Sequence, residues 1–344
     1  MLKSHPDMNR NRLLFAGVLA VAATIPLRAE SEPIAIVLSG GGAKGAYEVG
    51  VWQELQAAGI APRVTAISGT SVGSINAALF ATRPEAAETL WLENMEEVFT
   101  LNTNRVAESL QKTVDDASRA VAIAEETGED WKGVASFLLA TLVRVAGDYA
   151  ETVGSDAPRE GYVDSSKLAA ALEGALPKEW TDGAPAVYAT AFEKGSIKQT
   201  ATWRLNDEPH ERRVKMLRAS AAIPLGFDTV EIDGKTYVDG GWESRGGDNV
   251  PLEPILEKHP EIKTVVVVYL DDEKHLNKDR FAKNRALAAA AGVRLVEIVP
   301  SENIGGAFGG WQGVFDASPE TARHLIELGR SDARRKLKEA GLAK

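Results

Sequence analysis

At 344 residues, with 44% hydrophobic and 26% charged side chains, the chain can bury a large core and has the balance of a soluble globular protein. A formal net charge of −10 without any basic stripe argues against a nucleic-acid partner, although an acidic protein can still dock on a membrane through an apolar patch. The complete lack of cysteine excludes disulfides, thiolate metal sites, thiol nucleophiles and lipid attachment at an N-terminal cysteine.

Lys3, Arg10 and Arg12 precede the apolar run 13–25, which is followed by Pro26, Arg28 and Ala29 and then by acidic residues. This is the layout of a secretory signal peptide over residues 1–29, and the run is too short to span a bilayer comfortably. The working protein is therefore expected to be residues 30–344, exported to the periplasm or secreted.

Residues 34–38, IAIVL, form a continuous apolar run that predicts a strand buried on both faces of a parallel sheet. The glycine-rich stretch from Ser39 to Gly45 follows, and Tyr47, Val51, Trp52 and Leu55 then mark a helix that stops at Gly59. Such a loop turns several backbone N–H groups toward one point. It suits either a nucleotide phosphate or the oxyanion of an acyl-transfer reaction. The dinucleotide pattern G-x-G-x-x-G is formally present from Gly40 to Gly45 but lacks its acidic partner, and the P-loop pattern fails at Ala46.

The stretch 64–82, VTAISGTSVGSINAALFAT, reads as strand, sharp turn and helix, with Ser71 at the turn and Pro84 closing the helix. Gly69 and Gly73 bracket Ser71 in a G-x-S-x-G pattern. A nucleophile held out on a tight turn requires small residues two positions on either side, and a helix starting behind it aims unpaired N–H groups at developing negative charge. The same five residues also suit an ordinary glycine-rich turn.

From 85 to 180 the chain turns helical, with amphipathic patterns over 85–99 and 106–126, an apolar stretch over 134–146, and a short helix over 164–172 capped by Asp164. The apolar stretch suits a buried helix, or alternatively a cap over the site. Strand patterns return at 186–192 and 199–204, and a helix is expected over 213–222. Residues 229–241 read as a hairpin turning at Asp233-Gly234 and delivering Asp239-Gly240-Gly241, where Asp239 is placed as a catalytic carboxylate or as a simple turn cap. Strands at 265–270 and 295–299 and a helix over 319–340 complete the pattern. Of the five histidines none is placed as a triad base, His210 being the weakest exclusion, and no spacing suggests a metal site.

SGGGAKGAYEVGV, GTSVG, RASAAIPLGF and VDGG occur in one chain in the order found in patatin-like phospholipases, which this sequence resembles from residue 33 to 333 outside its middle helical region. The resemblance implies a three-layer α/β/α sandwich with a mainly parallel sheet, carrying a helical insertion at about 85–180. It also implies a serine–aspartate dyad acting on phospholipid or another acyl lipid, with membrane-surface contact and no cofactor. Ser71 matches the nucleophile, Asp239 the base, and Gly40, Gly41 and Gly42 the oxyanion loop, while Lys44 stands where the family carries a basic residue that can help hold an anionic headgroup or the loop itself. WESRGGD after Asp239-Gly240-Gly241 is longer than the usual link to Asn249-Val250-Pro251. An acyltransferase or general carboxylesterase on the same dyad, and a nucleotide- or anion-binding module built on the glycine loop, are the competing readings.

Overall fold

The computed structural model describes residues 32–127, 159–195, 200–243, 246–306 and 311–343. The expected signal peptide over 1–29 and the apolar stretch 134–146 lie outside these residues. Eight strands form one sheet in the order β5-β6-β3-β2-β1-β7-β8, with β4 also paired to β3. They are β1 (Ile34–Leu38), β2 (Val64–Thr70), β3 (Ala186–Glu193), β4 (Thr200–Arg204), β5 (Val230–Ile232), β6 (Lys235–Asp239), β7 (Thr264–Val268) and β8 (Arg294–Ile298). The five strands β1, β2, β3, β7 and β8 are mutually parallel, whereas β4, β5 and β6 are joined by antiparallel pairing.

Alternation along the strands feeds two cores, as expected for a sheet covered on both faces. Ile34, Ile36 and Leu38 of β1 point into the larger core, while Ala35 and Val37 point into the smaller one. The larger core is closed by the helices α1 (Ala46–Ala57), α2 (Val72–Thr82), α4 (Ser165–Ala175), α5 (His210–Ser220) and α7 (Pro319–Glu339). Opposite them, helix α6 (Lys278–Ala290) and the short helix Glu253–Lys258 cover the second face. The three layers and the predominantly parallel sheet match the sequence expectation.

Between β2 and β3 the described chain is helical. A short helix, Pro84–Thr89, runs through a π-helical turn, Leu90–Asn94, into Met95–Val98, and the long helix α3 (Thr103–Thr127) follows. The hairpin between β5 and β6 turns at Asp233 and Gly234, both at positive φ (52° and 75°), the conformation that an Asp-Gly pair favours. Helix α5 begins three residues earlier than the apolar pattern indicated. Its first turn is the charged HERR stretch, which hides the start of the helix from a hydrophobicity reading.

Strand register sets the level at which the site is built. Leu38 lies opposite Gly69, Thr70 opposite Thr190, and Ala191 opposite Asp239. The end of β1, the turn after β2 and the end of β6 therefore share one edge of the sheet, with β2 and β6 two strands, or about 10 Å, apart.

Candidate active site

Ser71 sits between β2 and α2 with φ 55° and ψ −128°, a region that non-glycine residues avoid. The turn is tight enough that a Cβ on Gly69 would fall 2.3 Å from the Gly73 backbone, and one on Gly73 would fall 2.6 Å from the Leu38 carbonyl oxygen. Both glycines of the pattern are thus required by close approach of backbone to backbone. Gly69→Ala is expected to lower stability by at least about 3 kcal/mol, read as a fall in the urea midpoint, because no flexible side chain is available to yield. The Ser74 N–H and the Ser74 hydroxyl both donate to the Ser71 carbonyl at 2.9 and 2.6 Å, which holds the first turn of α2 against the serine. The leading N–H groups of α2 have no helical acceptor and face this end of the sheet.

Asp239 is 7% exposed. Its Oδ1 accepts the Gly241 N–H at 2.7 Å, whereas Oδ2 is buried without a well-formed hydrogen bond. Burial pushes the carboxyl up to about 6 from its ordinary 3.8, partly offset by contact with the Ser71 hydroxyl and by the Gly241 N–H. A carboxylate with one oxygen open beside a serine hydroxyl can accept that hydroxyl's proton.

Not all three glycines of the loop have a free amide. Gly40 donates its N–H to the Asn249 carbonyl at 3.1 Å, and Asn249 Nδ2 returns a hydrogen bond to the Gly40 carbonyl at 3.2 Å. This differs from the sequence expectation that all three amides serve one purpose. Gly41 and Gly42 are the pair whose N–H groups make no hydrogen bond among the described residues. Gly42 lies at φ 59°, and a Cβ there would approach the Val314 carbonyl oxygen to 2.4 Å. A Cβ on Gly40 would lie 3.0 Å from the Ser71 Cβ, so the loop runs directly beside the serine.

Lys44 is buried at 4% exposure, and its Nζ pairs with Asp271 Oδ1 at 2.7 Å. Its charge is therefore matched within the protein and ties the loop to the chain beyond β7. His210 pairs with Glu173. It does not line the cleft that holds Ser71 and Asp239.

Beneath the loop and the elbow lies a buried polar network. Asn76 of α2 donates to Glu48 Oε2 at 2.8 Å and to the Gly45 carbonyl at 2.9 Å, and accepts the Trp91 indole N–H at 3.0 Å. Complete burial pushes the Glu48 carboxyl well above its ordinary 4.5, partly offset by the Asn76 hydrogen bond. Glu48→Gln, which keeps an uncharged acceptor for Asn76, is therefore expected to change unfolding free energy by less than about 1 kcal/mol below pH 4.5 and to become the more stable protein as pH rises above it. The stability that neutral Glu48 gives the wild type begins to fall as pH rises above 4.5, a loss the glutamine variant escapes, and melting curves across pH check both.

The longer link after Asp239 is gripped from α6. Arg280 donates to Glu243 Oε1 at 3.1 Å, to Asp248 Oδ1 at 2.7 Å and to the Gly247 carbonyl at 2.7 Å. Asp248 in turn accepts the Thr70 hydroxyl on its carbonyl at 2.6 Å, one residue before Ser71. Neither contact carries a local sequence signal.

Ser71, Asp239 and the glycine loop open into a cleft of about 860 Å³ whose walls include Phe99, Leu101, Ile223, Leu225, Trp242 and Phe315. Phe99 meets Phe227 and Phe315 edge-on, with centroids 5.8 and 5.9 Å away. Most of the cleft's exposed lining is apolar, and Lys44, Glu243, Asn249 and Asp271 line it as well. No group of three or more metal-ligating side chains occurs among the described residues, and no helix among them is long and apolar enough to cross a membrane.

The α/β/α sandwich thus carries a serine elbow and a glycine loop at one edge of its sheet, beside a largely apolar cleft. The sequence model of the patatin-like phospholipases matches residues 36–256, and the chain belongs to that family. No curated protein gives a significant match. Among solved structures, VipD from Legionella pneumophila is 15% identical with a TM-score of 0.42, covering 90% of this chain and 67% of its own. ExoU of Pseudomonas aeruginosa is 17% identical with a TM-score of 0.41, over 90% of this chain and 53% of its own. Human GIVD cytosolic phospholipase A2 is 10% identical with a TM-score of 0.46, over 91% and 60%. The chain thus spans between about half and two thirds of the length of these structures.

Proposed function

We propose that this protein is an exported lipid acyl hydrolase of the phospholipase A or lysophospholipase type, working through a Ser71–Asp239 dyad. The observation that carries this reading is the strained Ser71 beside a buried, partly unpaired carboxylate, both lining a largely apolar cleft. Asp239 takes the proton from Ser71 Oγ as that oxygen attacks the ester carbonyl, forming the C–O bond of a tetrahedral intermediate. The Gly41 and Gly42 N–H groups, with the first turn of α2, supply the oxyanion stabilisation, worth roughly 3 to 4 kcal/mol per donor in comparable sites. Collapse of the intermediate breaks the bond to the alcohol, which leaves with the proton held by Asp239. Asp239 then removes a proton from water, the resulting attack releases the fatty acid, and Ser71 recovers its proton.

Lys44 has a structural role in this reading, since Asp271 neutralises it, and it holds the loop rather than a headgroup. The apolar walls take the acyl chain, and Leu101 and Phe315, both exposed at the cleft, make contact with the lipid surface.

The test is release of free fatty acid from phosphatidylcholine vesicles and from lysophosphatidylcholine, followed by mass spectrometry with and without an added alcohol. Fatty acid as the dominant product supports a hydrolase. A transferred ester as the dominant product would reassign the same dyad to acyl transfer, and absence of either on folded protein would overturn the reading.

A further inference from the structure

Residues 220–222 touch both members of the proposed dyad. Helix α5 ends at Ser220, where the last carbonyls of a helix need donors from elsewhere. The Gly240 N–H supplies one, reaching the Ser220 carbonyl at 3.3 Å, and just beyond the helix the Asp239 N–H reaches the Ala222 carbonyl at 2.9 Å. On its other side the Ser220 hydroxyl accepts the Ser71 N–H at 2.8 Å and donates to the Thr190 carbonyl at 2.6 Å. Ser220 and Thr190 are completely buried. The hydroxyl has one proton, and donating it to Thr190 leaves the oxygen lone pairs directed at Ser71.

The geometry points to Ser220 as a positioning residue: with Ala222 it straps the serine elbow to the strand end that carries the aspartate, and so fixes how the two side chains meet. The inference rests on the dyad reading above. Its physical basis is the backbone of Ser71. At φ 55° and ψ −128° this residue is held in a conformation that it would not choose, and rotation about N–Cα swings the peptide N–H and the Cα–Cβ bond relative to each other. Pinning the N–H against Ser220 therefore sets the direction in which Oγ leaves the chain. Asp239, on a strand two places away, needs a matching anchor, and the Ala222 carbonyl provides it. A hydroxyl that merely satisfied two buried backbone groups would affect stability and leave reactivity alone.

Four full-length proteins test this: wild type, Ser220→Ala, Ser220→Cys and Ser220→Thr. For each, the second-order rate of Ser71 modification by a fluorophosphonate is measured per folded molecule, together with kcat and KM on a p-nitrophenyl ester. Ser220→Ala and Ser220→Cys, the latter keeping the volume but offering a weak acceptor, are expected to react on the order of 10- to 100-fold more slowly, with the loss in kcat and KM little changed. Ser220→Thr keeps the hydroxyl and is expected to recover most of the rate. Should the alanine variant fail to fold, the cysteine and threonine pair carries the comparison. Folded alanine or cysteine variants that react at the wild-type rate would overturn the strap while leaving the dyad intact, as would a threonine variant no faster than the alanine one. A wild type that is folded and unreactive at Ser71 would overturn the dyad, and the strap with it.

Discussion

Ser71→Ala is expected to lower ester hydrolysis by at least about 10⁴-fold while leaving the protein folded. In the proposed mechanism, loss of the nucleophile removes every covalent step at once, so kcat falls and any residual substrate binding in the cleft survives. Ser71→Gly should be equally inactive and yet more stable than either. The backbone at φ 55° and ψ −128° is the mirror image of a common extended conformation, which glycine adopts freely and other residues do not. Relief of about 1 to 3 kcal/mol of strain, less about 0.5 to 1 kcal/mol for the added freedom of the unfolded glycine chain, leaves a gain of up to about 2.5 kcal/mol. Urea unfolding of the three proteins measures it. A glycine variant less stable than the alanine variant would mean that the elbow is not strained as described.

The second large effect falls on Asp239→Asn. Asparagine can still accept the Gly241 N–H through its carbonyl oxygen, but it cannot take the serine proton, and the rate is expected to drop by about 10³-fold. Wild-type kcat/KM should rise with pH through about 6, where the buried carboxyl loses its proton, and level off above. The asparagine variant should lack that limb. Stability runs the other way. The folded carboxyl holds its proton up to about 6 and the unfolded one only to 3.8, so stability present below 3.8 is lost as pH rises through that window. The shift corresponds to about 3 kcal/mol, and Asp239→Asn should therefore be more stable than wild type at pH 8 and no more stable at pH 3.5. Such an opposition between activity and stability is the signature of a group that is buried for its chemistry.

Much of this architecture is legible in the sequence for a physical reason. Strands buried on both faces cannot alternate, so β1 and β7 stand out as uninterrupted apolar runs, and the elbow announces itself because two glycines must flank the serine for backbone to pass backbone. Asp233-Gly234 marks its hairpin for the same kind of reason. The contacts that decide how the site works have no local trace. Gly40 is held by Asn249 from 209 residues away, Lys44 is neutralised by Asp271 from 227 away, and Ser71 is pinned by Ser220 from 149 away. Each joins groups that only the sheet order brings together. Hence three glycines in a row suggest three equivalent amides, whereas the folded chain spends the first on its own structure. The Arg280 grip on the longer link is likewise invisible until α6 is laid against it. The π-helical turn Leu90–Asn94 lies inside a stretch whose composition suits an ordinary helix, and Trp91 within it reaches Asn76.

The most direct test of the Ser71–Asp239 dyad is intact-protein and peptide mass spectrometry after exposure of the wild type to a fluorophosphonate ester. One adduct on the peptide carrying Ser71, absent in Ser71→Ala and slowed in Asp239→Asn, is the predicted result. A folded wild type that acquires no adduct, or acquires it on another serine at undiminished rate in both variants, would contradict the account.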